Sequence, residues 1–475
     1  MCGGRLFPIP REVRNVSVVL RRPILLAVLV VAALAACASA PRSRRIRIVH
    51  TNDLHGHVER AAAVAAVAAE ERDKHPHTLF LDAGDCISGT PLSTVFQGRP
   101  IFEIMSAMGY DAAAVGNHEY DHGWRLLDEF REIADFPLLC ANARSPDGEL
   151  LADSADHVFD VDGVRVGVLG LITGHVPRLT VRAAAAGCTF DDPIAVARRL
   201  VPALRERCDV VVLLTHLGVE EDAALAGAVP GIDLIVGGHS HTELSEPLVV
   251  GATRIVQAKS YGERVGVVDL VFDPTEGRVV ELTSRLIKVE PDVMPSAGPV
   301  RELVAAWEAR IADRVSEVIG TAERRLDRKA LRRHVERIFR ETLDADIGFQ
   351  NSAGIRADIG AGEISIRDVW EVLPFENTLV RVTLRGARLP EHMRTELGRR
   401  FDPQAEYTIA TNSFVADQQQ QYFRTTDARV ENTGLPVRDQ VVAWVRQHGG
   451  FGPPRGPRAA GEAPAPGAPS EEGPR

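Results

Sequence analysis

From Arg47 onward, short apolar runs alternate with amphipathic stretches, and most of the runs stop at a cluster of Asp, Asn, His and Gly. Leu79-Phe80-Leu81, Ala112 to Val115, Arg165 to Leu171, Val210 to Leu214 and Leu234 to Val236 read as strands. Between them, Ala61 to Glu71, Ile101 to Met108, Trp124 to Ile133 and Ile194 to Glu206 read as helices. This alternation predicts a layered α/β fold, because each crossover between strands lays a helix across a sheet face. In such folds the functional groups collect on loops beyond the strand ends.

Those loop ends are chemically uniform. Asp53-Leu54-His55 follows the first apolar run, and if the chain is still extended there both side chains leave the backbone on the same side. Asp85, Asn117, His216, His239 and His241 stand at the ends of later runs. Carboxylate, amide and imidazole donors together suit divalent ions such as Zn²⁺, Mn²⁺ or Mg²⁺, and no thiolate is required. Seven donors exceed what one tetrahedral ion takes, so the set predicts two ions sharing a carboxylate. Singly, each residue has an ordinary structural reading, Asp85 and Asn117 as turn residues and His216 as a hydrogen-bonded histidine at a strand end. It is their recurrence, in order, at successive strand ends that points to a metal site.

The series Asp53-Leu54-His55, Gly84-Asp85, Gly116-Asn117-His118-Glu119, Thr215-His216 and Gly238-His239-Ser240-His241 resembles the calcineurin-like metallophosphoesterases. The longer runs His-Thr-Asn-Asp-Leu-His-Gly-His and Gly-Asn-His-Glu-Tyr-Asp are similar to the 5′-nucleotidase branch. The resemblance implies a four-layer α/β/β/α catalytic domain, a helical linker and a smaller α/β C-terminal domain. It implies one ion on Asp53, His55 and His241, another on Asn117, His216 and His239, and Asp85 between them. His118, oriented by Asp121, would face the phosphate and the leaving oxygen. His50 and His57 match no ligand position and are expected to be supporting or surface histidines.

The second half extends the likeness. Asn351-Ser352-Ala353-Gly354-Ile355-Arg356 resembles a segment whose arginine contacts phosphate, which marks Arg356. Leu373-Pro374-Phe375-Glu376-Asn377 and Phe414 resemble the segments whose two rings hold a nucleobase, which implies Phe375, Asn377 and Phe414 as substrate contacts. The chain departs just after Phe414. Gln418-Gln419-Gln420-Gln421-Tyr422 stands where the family has Gly-Gly-Asp-Gly-Tyr, so Gln420 replaces a nucleoside-binding carboxylate. Arg325 and Arg328 are candidates for a further family arginine.

Composition bounds the partners. The formal net charge is −10, with 45% hydrophobic and 25% charged residues. No basic stripe is present to release counterions from a polyanion, which argues against a nucleic acid polymer. Arg21-Arg22, a continuously apolar Pro23 to Ala36, and Leu34-Ala35-Ala36-Cys37 resemble a bacterial lipoprotein signal, with Cys37 as the acylated residue that ties the protein to a membrane. The expected organisation is a signal peptide over 1–36, a tether over 37–45, a catalytic domain over 46–290, and a linker with one connecting helix over 291–318, striped by Leu303, Trp307, Ile311 and Val315. A substrate domain over 319–451 and a disordered Pro/Gly/Ala tail over 452–475 complete it. Cys86, Cys140, Cys188 and Cys208 remain, with no pairing readable from their spacing.

The function expected from the whole is exported, two-metal hydrolysis of a nucleotide phosphate ester, in the first place a 5′-nucleotidase. Cyclic-nucleotide, nucleotide-sugar and carrier-bound thiosulfonate hydrolysis are the alternatives within the fold. A surface lipoprotein that binds without catalysis is the alternative of another class.

Overall fold

The computed structural model describes Met1, residues 43–426 and residues 428–451. The expected signal segment, Cys37 and the 452–475 tail lie outside the described residues. Arg44 and Arg45, expected in the tether, open the first strand.

Two six-stranded sheets form the N-terminal part. In the first, the strands Arg44–Thr51, Thr78–Asp82, Ala112–Ala114 and Leu138–Leu139 run parallel, and Arg264–Asp273 and Arg278–Lys288 add antiparallel on the other side. In the second, Val164–Ile172, Val210–His216, Leu234–Gly237 and Thr253–Val256 are parallel, and Asp156–Val161 and Leu248–Val250 close the edges antiparallel. Alternation sorts the side chains between layers. Ile46, Ile48, Leu79 and Leu81 meet Val166, Val168, Val212, Leu214 and Val236 between the sheets. Val49 and Phe80, from the opposite register, pack outward under Val64, Val67, Ile101 and Met105 of the helices Ala61–Lys74 and Arg99–Met108. Helices Pro193–Arg207 and Val219–Ala228 cover the far face of the second sheet through Val201, Leu204 and Leu225. Each such residue, buried from water, contributes about 1.5–3 kcal/mol. The order is α/β/β/α, and it presents the ends of both sets of parallel strands on one side.

Local chemistry sets the element boundaries. Asp192 accepts from the Ala195 amide and Pro193 follows it, so the helix over Pro193–Arg207 starts with a cap and a pre-set φ. Asp327 caps Arg328–Leu343 by accepting from the Ala330 amide. The expected single connecting helix is two, Gly298–Ala309 and Ala312–Val315. Leu303 and Trp307 pack half-buried from the first, whereas Ile311 sits at the break between them with Ile311 and Val315 fully buried.

The C-terminal part has a four-stranded sheet in the order Ile347–Gly348, Glu406–Asn412, Thr378–Arg385, Arg429–Pro436. Helices Arg328–Leu343 and Val437–His448 cover one face through Leu331, Phe339, Val441 and Val445. The remaining cysteines, Cys86, Cys140, Cys188 and Cys208, are free thiols.

Candidate functional site

The strand ends place the polar clusters side by side. Thr51 pairs with Asp82 across the first two parallel strands, and His216 lies at the end of a strand of the second sheet. The loops approach so closely that a Cβ on Gly116 would come within 2.3 Å of the Asp85 amide. Only glycine fits there.

The expected extended geometry at Asp53 and His55 is not what brings them together. The strand ends at Thr51, and Asp53 and His55 have φ of 53° and 50°. Asp85, His239 and His241 share this left-handed conformation, with φ of 56°, 77° and 53°. Such backbone is costly for a residue with a Cβ, and it clusters where the surroundings over-determine it. Hydrogen bonds do so here. The Asn52 side chain donates to Asp53 Oδ2 at 2.7 Å, and the His239 amide donates to Asp53 at 3.0 Å. Tyr261 N donates to the Asp53 carbonyl at 2.8 Å.

The donor atoms converge. Asp53 Oδ1, His55 Nε2 and His241 Nε2 are separated by 3.0, 3.3 and 3.8 Å. Ligands about 2.0–2.1 Å from one ion stand about 3.0 Å apart in an octahedral shell and about 3.3 Å apart in a tetrahedral one, so this edge length fits a common cation. Asp85 Oδ2 lies 3.0 Å from His216 Nε2 and 3.8 Å from His55 Nε2, while its Oδ1 accepts the His118 amide at 2.8 Å. His239 groups with Asp85 and His216. Ring tautomers agree with this picture: His55 Nδ1 donates to the Ser88 carbonyl and His216 Nδ1 to that of Ala83, which leaves each Nε2 lone pair facing inward.

Two orphaned atoms test the fit. Asn117 Oδ1 is buried without a hydrogen-bond partner, and His216 Nε2, although 3.0 Å from Asp85, lacks hydrogen-bond geometry to it. Atoms aimed at one point rather than at each other are what a shared cation needs. Charge tells the same story. Burial pulls the His216 imidazole down, yet Asp85 and Asp53 outweigh it and push it up to about 10. Burial likewise opposes the Asp85 carboxylate, but His216, His118 and His55 hold it well below the usual carboxylate range. The cluster calls for positive charge.

Above it opens a cleft of about 300 Å³, walled by both halves of the chain. His118, its Nδ1 donating to Asp121 Oδ2 at 2.7 Å, lines it together with Arg356, Phe375, Asn377 and Phe414. Burial depresses His118, but the Asp121 and Asp85 carboxylates raise it above the ordinary imidazole value. Phe375 stacks on His118 with centroids 5.5 Å apart, and Arg356 lies over the same ring while its Nη2 donates to His55 Nε2 at 3.1 Å.

Two family models match this arrangement, calcineurin-like phosphoesterase over residues 46–243 and 5′-nucleotidase, C-terminal domain over residues 314–400. The chain joins a calcineurin-like phosphoesterase domain to a C-terminal domain of 5′-nucleotidase type. It is 30% identical over 431 residues to the trifunctional nucleotide phosphoesterase protein of Bacillus subtilis, covering 78% of this chain and 29% of that one, so it spans less than a third of that relative. It is 27% identical over 436 residues to the 5′-nucleotidase of Vibrio cholerae, covering 77% and 79%. The crystal structure of the 5′-nucleotidase precursor from Thermus thermophilus matches with a TM-score of 0.76 at 25% identity, over 86% of this chain and 97% of that one. The chain is a metal-dependent phosphoester hydrolase by fold, relatives and donor set.

Several residues of this phosphoesterase escaped the reading of its sequence. Glu119 is buried and takes four backbone amides: Asp85 and Gly116 at Oε2, Cys86 and Ile87 at Oε1, between 2.7 and 3.3 Å. Its place in the Gly-Asn-His-Glu cluster was visible, but the convergence of amides from two loops was not. His122 lines the cleft with neither ring nitrogen hydrogen-bonded, its Nδ1 3.6 Å from Glu376. Gln421 and Tyr422, not Gln420, line the cleft in the departing segment. Asn377 Oδ1 is engaged by Ser413 and the Phe414 amide, so it sets the position of Phe414. Arg325 pairs with Asp358, and Arg328 lines a neighbouring cleft that also touches Arg356. His50 is no surface residue. It is buried against Gly266, and burial pulls it down to about 3. The His57 ring lies against Tyr261, tilted by 43° with centroids 4.4 Å apart. Cys86 is buried, and its thiol donates to Asp82 at 3.3 Å.

Proposed function

We propose that the protein is a 5′-nucleotidase that releases nucleoside and phosphate. The observation that carries this is the meeting, at one cleft, of the seven-donor cluster with Arg356 and the rings of Phe375 and Phe414. In this reading Asp53, His55 and His241 hold one divalent ion, Asn117, His216 and His239 the other, and Asp85 spans both. Bound there, the ions would supply Lewis-acid charge to the phosphoryl oxygens and make water acidic enough to attack near neutral pH.

The chain's own groups do the rest. Arg356 offers its planar fork to the phosphate, a geometry that matches two oxygens at once. His118, oriented by Asp121 and pushed up by its carboxylate, donates a proton to the leaving oxygen. Phe375 and Phe414 offer faces to a base, a contact that tolerates base identity. Residues 46–290 form the catalytic domain and 319–451 the substrate domain, joined through 291–318. The N-terminal segment supports export and lipid anchoring at Cys37 to the cell envelope, on a periplasmic or extracellular face.

Turnover of AMP, 2′,3′-cyclic AMP and p-nitrophenyl phosphate by the purified, metal-loaded protein tests the proposal. A preference for AMP over both is expected. Equal use of AMP and the plain ester would sink the nucleotidase assignment.

A further inference from the structure

Part of the cleft wall is the stretch Arg178 to Val181, which begins in the last turn of the short helix Val176–Leu179 and runs on past its end. Its cation differs from the other one in the cleft. Arg356 is engaged by His55 and lies over Phe375, whereas Arg178 is exposed and its guanidinium has no hydrogen bond, ion pair or ring contact among the described residues. None of the carboxylates that share the cleft pairs with Arg178. Asp85 faces imidazoles, Asp121 holds His118, and Glu376 lies 3.6 Å from His122 and 3.9 Å from Arg438.

What pins this wall is the segment in which the sequence departs from its family. Gln418 Nε2 donates to the Pro177 carbonyl at 3.2 Å, and the Arg182 amide donates to Asp417 Oδ2 at 3.3 Å. Gln421 and Tyr422, a few residues on, line the cleft themselves. Asp417 does not line it, so the run that clamps the Arg178 wall brings no carboxylate into the cleft. A guanidinium without a partner, on a wall without a free carboxylate, is suited to a second anion, and its fork matches phosphate.

We infer that Arg178, held in place by Gln418, selects substrates whose leaving group carries a phosphate of its own, as in a nucleoside diphosphate cleaved at its terminal phosphate. This rests on the phosphohydrolase reading of the cleft. The reaction remains hydrolysis. One water is consumed, its oxygen bonds to the terminal phosphorus, the bond from that phosphorus to the bridging oxygen breaks, and nucleoside monophosphate and inorganic phosphate leave.

The test measures kcat/KM for ADP, AMP and p-nitrophenyl phosphate with the full-length, metal-loaded protein and with Arg178→Ala, Arg178→Lys and Gln418→Ala. The readout is the ADP-to-AMP ratio within each preparation, from which any misfolded fraction cancels. Loss of one charge-assisted contact lowers that ratio about ten- to a hundred-fold in Arg178→Ala. Arg178→Lys retains part of it, and Gln418→Ala lowers it in the same direction. An ADP-to-AMP ratio unchanged in Arg178→Ala overturns the inference while leaving the nucleotidase reading in place. A wild-type protein that prefers neither nucleotide over p-nitrophenyl phosphate overturns that reading, and the inference with it.

Discussion

Replacing Glu119 by glutamine changes one atom and breaks two hydrogen bonds whichever way the amide turns. In the native arrangement each carboxylate oxygen accepts two backbone amides, Oε2 those of Asp85 and Gly116, Oε1 those of Cys86 and Ile87. A glutamine keeps one oxygen and sets an NH₂ against the other pair, so two buried N–H groups lose their acceptor. Each unsatisfied buried donor costs about 1–3 kcal/mol, which gives about 2–6 kcal/mol for Glu119→Gln. Glu119→Ala strands all four, a loss comparable to the whole stability of many domains, so glutamine is the informative variant. The amides concerned belong to the loops that carry Asp85 and Asn117. Stability and metal content should therefore fall together.

Urea unfolding measures the first, and elemental analysis of the purified protein measures the second. Glu70→Gln is the control, since Glu70 is 58% exposed and among the described residues pairs only with Lys74, at 2.7 Å, an interaction worth about 0–1 kcal/mol. Glu119→Gln within about 0.5 kcal/mol of wild type, with full metal content, would refute the view that this carboxylate organises the site.

Three further outcomes are expected. His118→Asn should cut turnover of a phosphate ester by about 10²–10⁴-fold with metal content intact, and unchanged turnover would remove the proton-donor role. Chelation should abolish activity and lower the unfolding midpoint, since an ion at a hundred times its dissociation constant stabilises by about 2.7 kcal/mol; activity that survives exhaustive chelation would exclude the metal cluster from the reaction. Burial pushes the Asp222 carboxyl up to about 8 in spite of the bond from Thr215 at 2.7 Å. Its folded-state value lies above the unfolded one, so the native chain holds a proton that the unfolded chain releases, and stability is lost as the pH rises from about 4 towards 8. Wild-type stability relative to Asp222→Asn should fall across that window in urea titrations, and a difference flat with pH would contradict the assignment.

Much of the layered fold was legible because burial leaves strong marks. Strands enclosed on both faces, such as Val210–His216 and Leu234–Gly237, read as continuous apolar runs. Helices such as Ala61–Lys74 were expected from their apolar spacing and differ only at their ends. The strand-end clusters pointed to the donors because the fold delivers strand ends to one side. What could not be read was geometry that depends on distant pairs. Gln418 meets Pro177 across 241 positions, and Glu119 collects amides from 32 to 34 positions away. The stripe from Leu303 to Val315 reads as one helix because a kink at Ile311 leaves the spacing of buried residues almost unchanged.

The left-handed backbone at Asp53, His55, Asp85, His239 and His241 limits how portable this site is. A designer who copied Asp-Leu-His onto the extended end of a host strand would reproduce the letters and misdirect the side chains, because alternation along a strand is not what aims them here. The graft would have to carry Asn52, the His239 amide and the Tyr261 amide as well, since these hold Asp53 in its turn. The transferable unit is therefore a set of interlocked loops from both sheets, and a short peptide motif is too small to contain it.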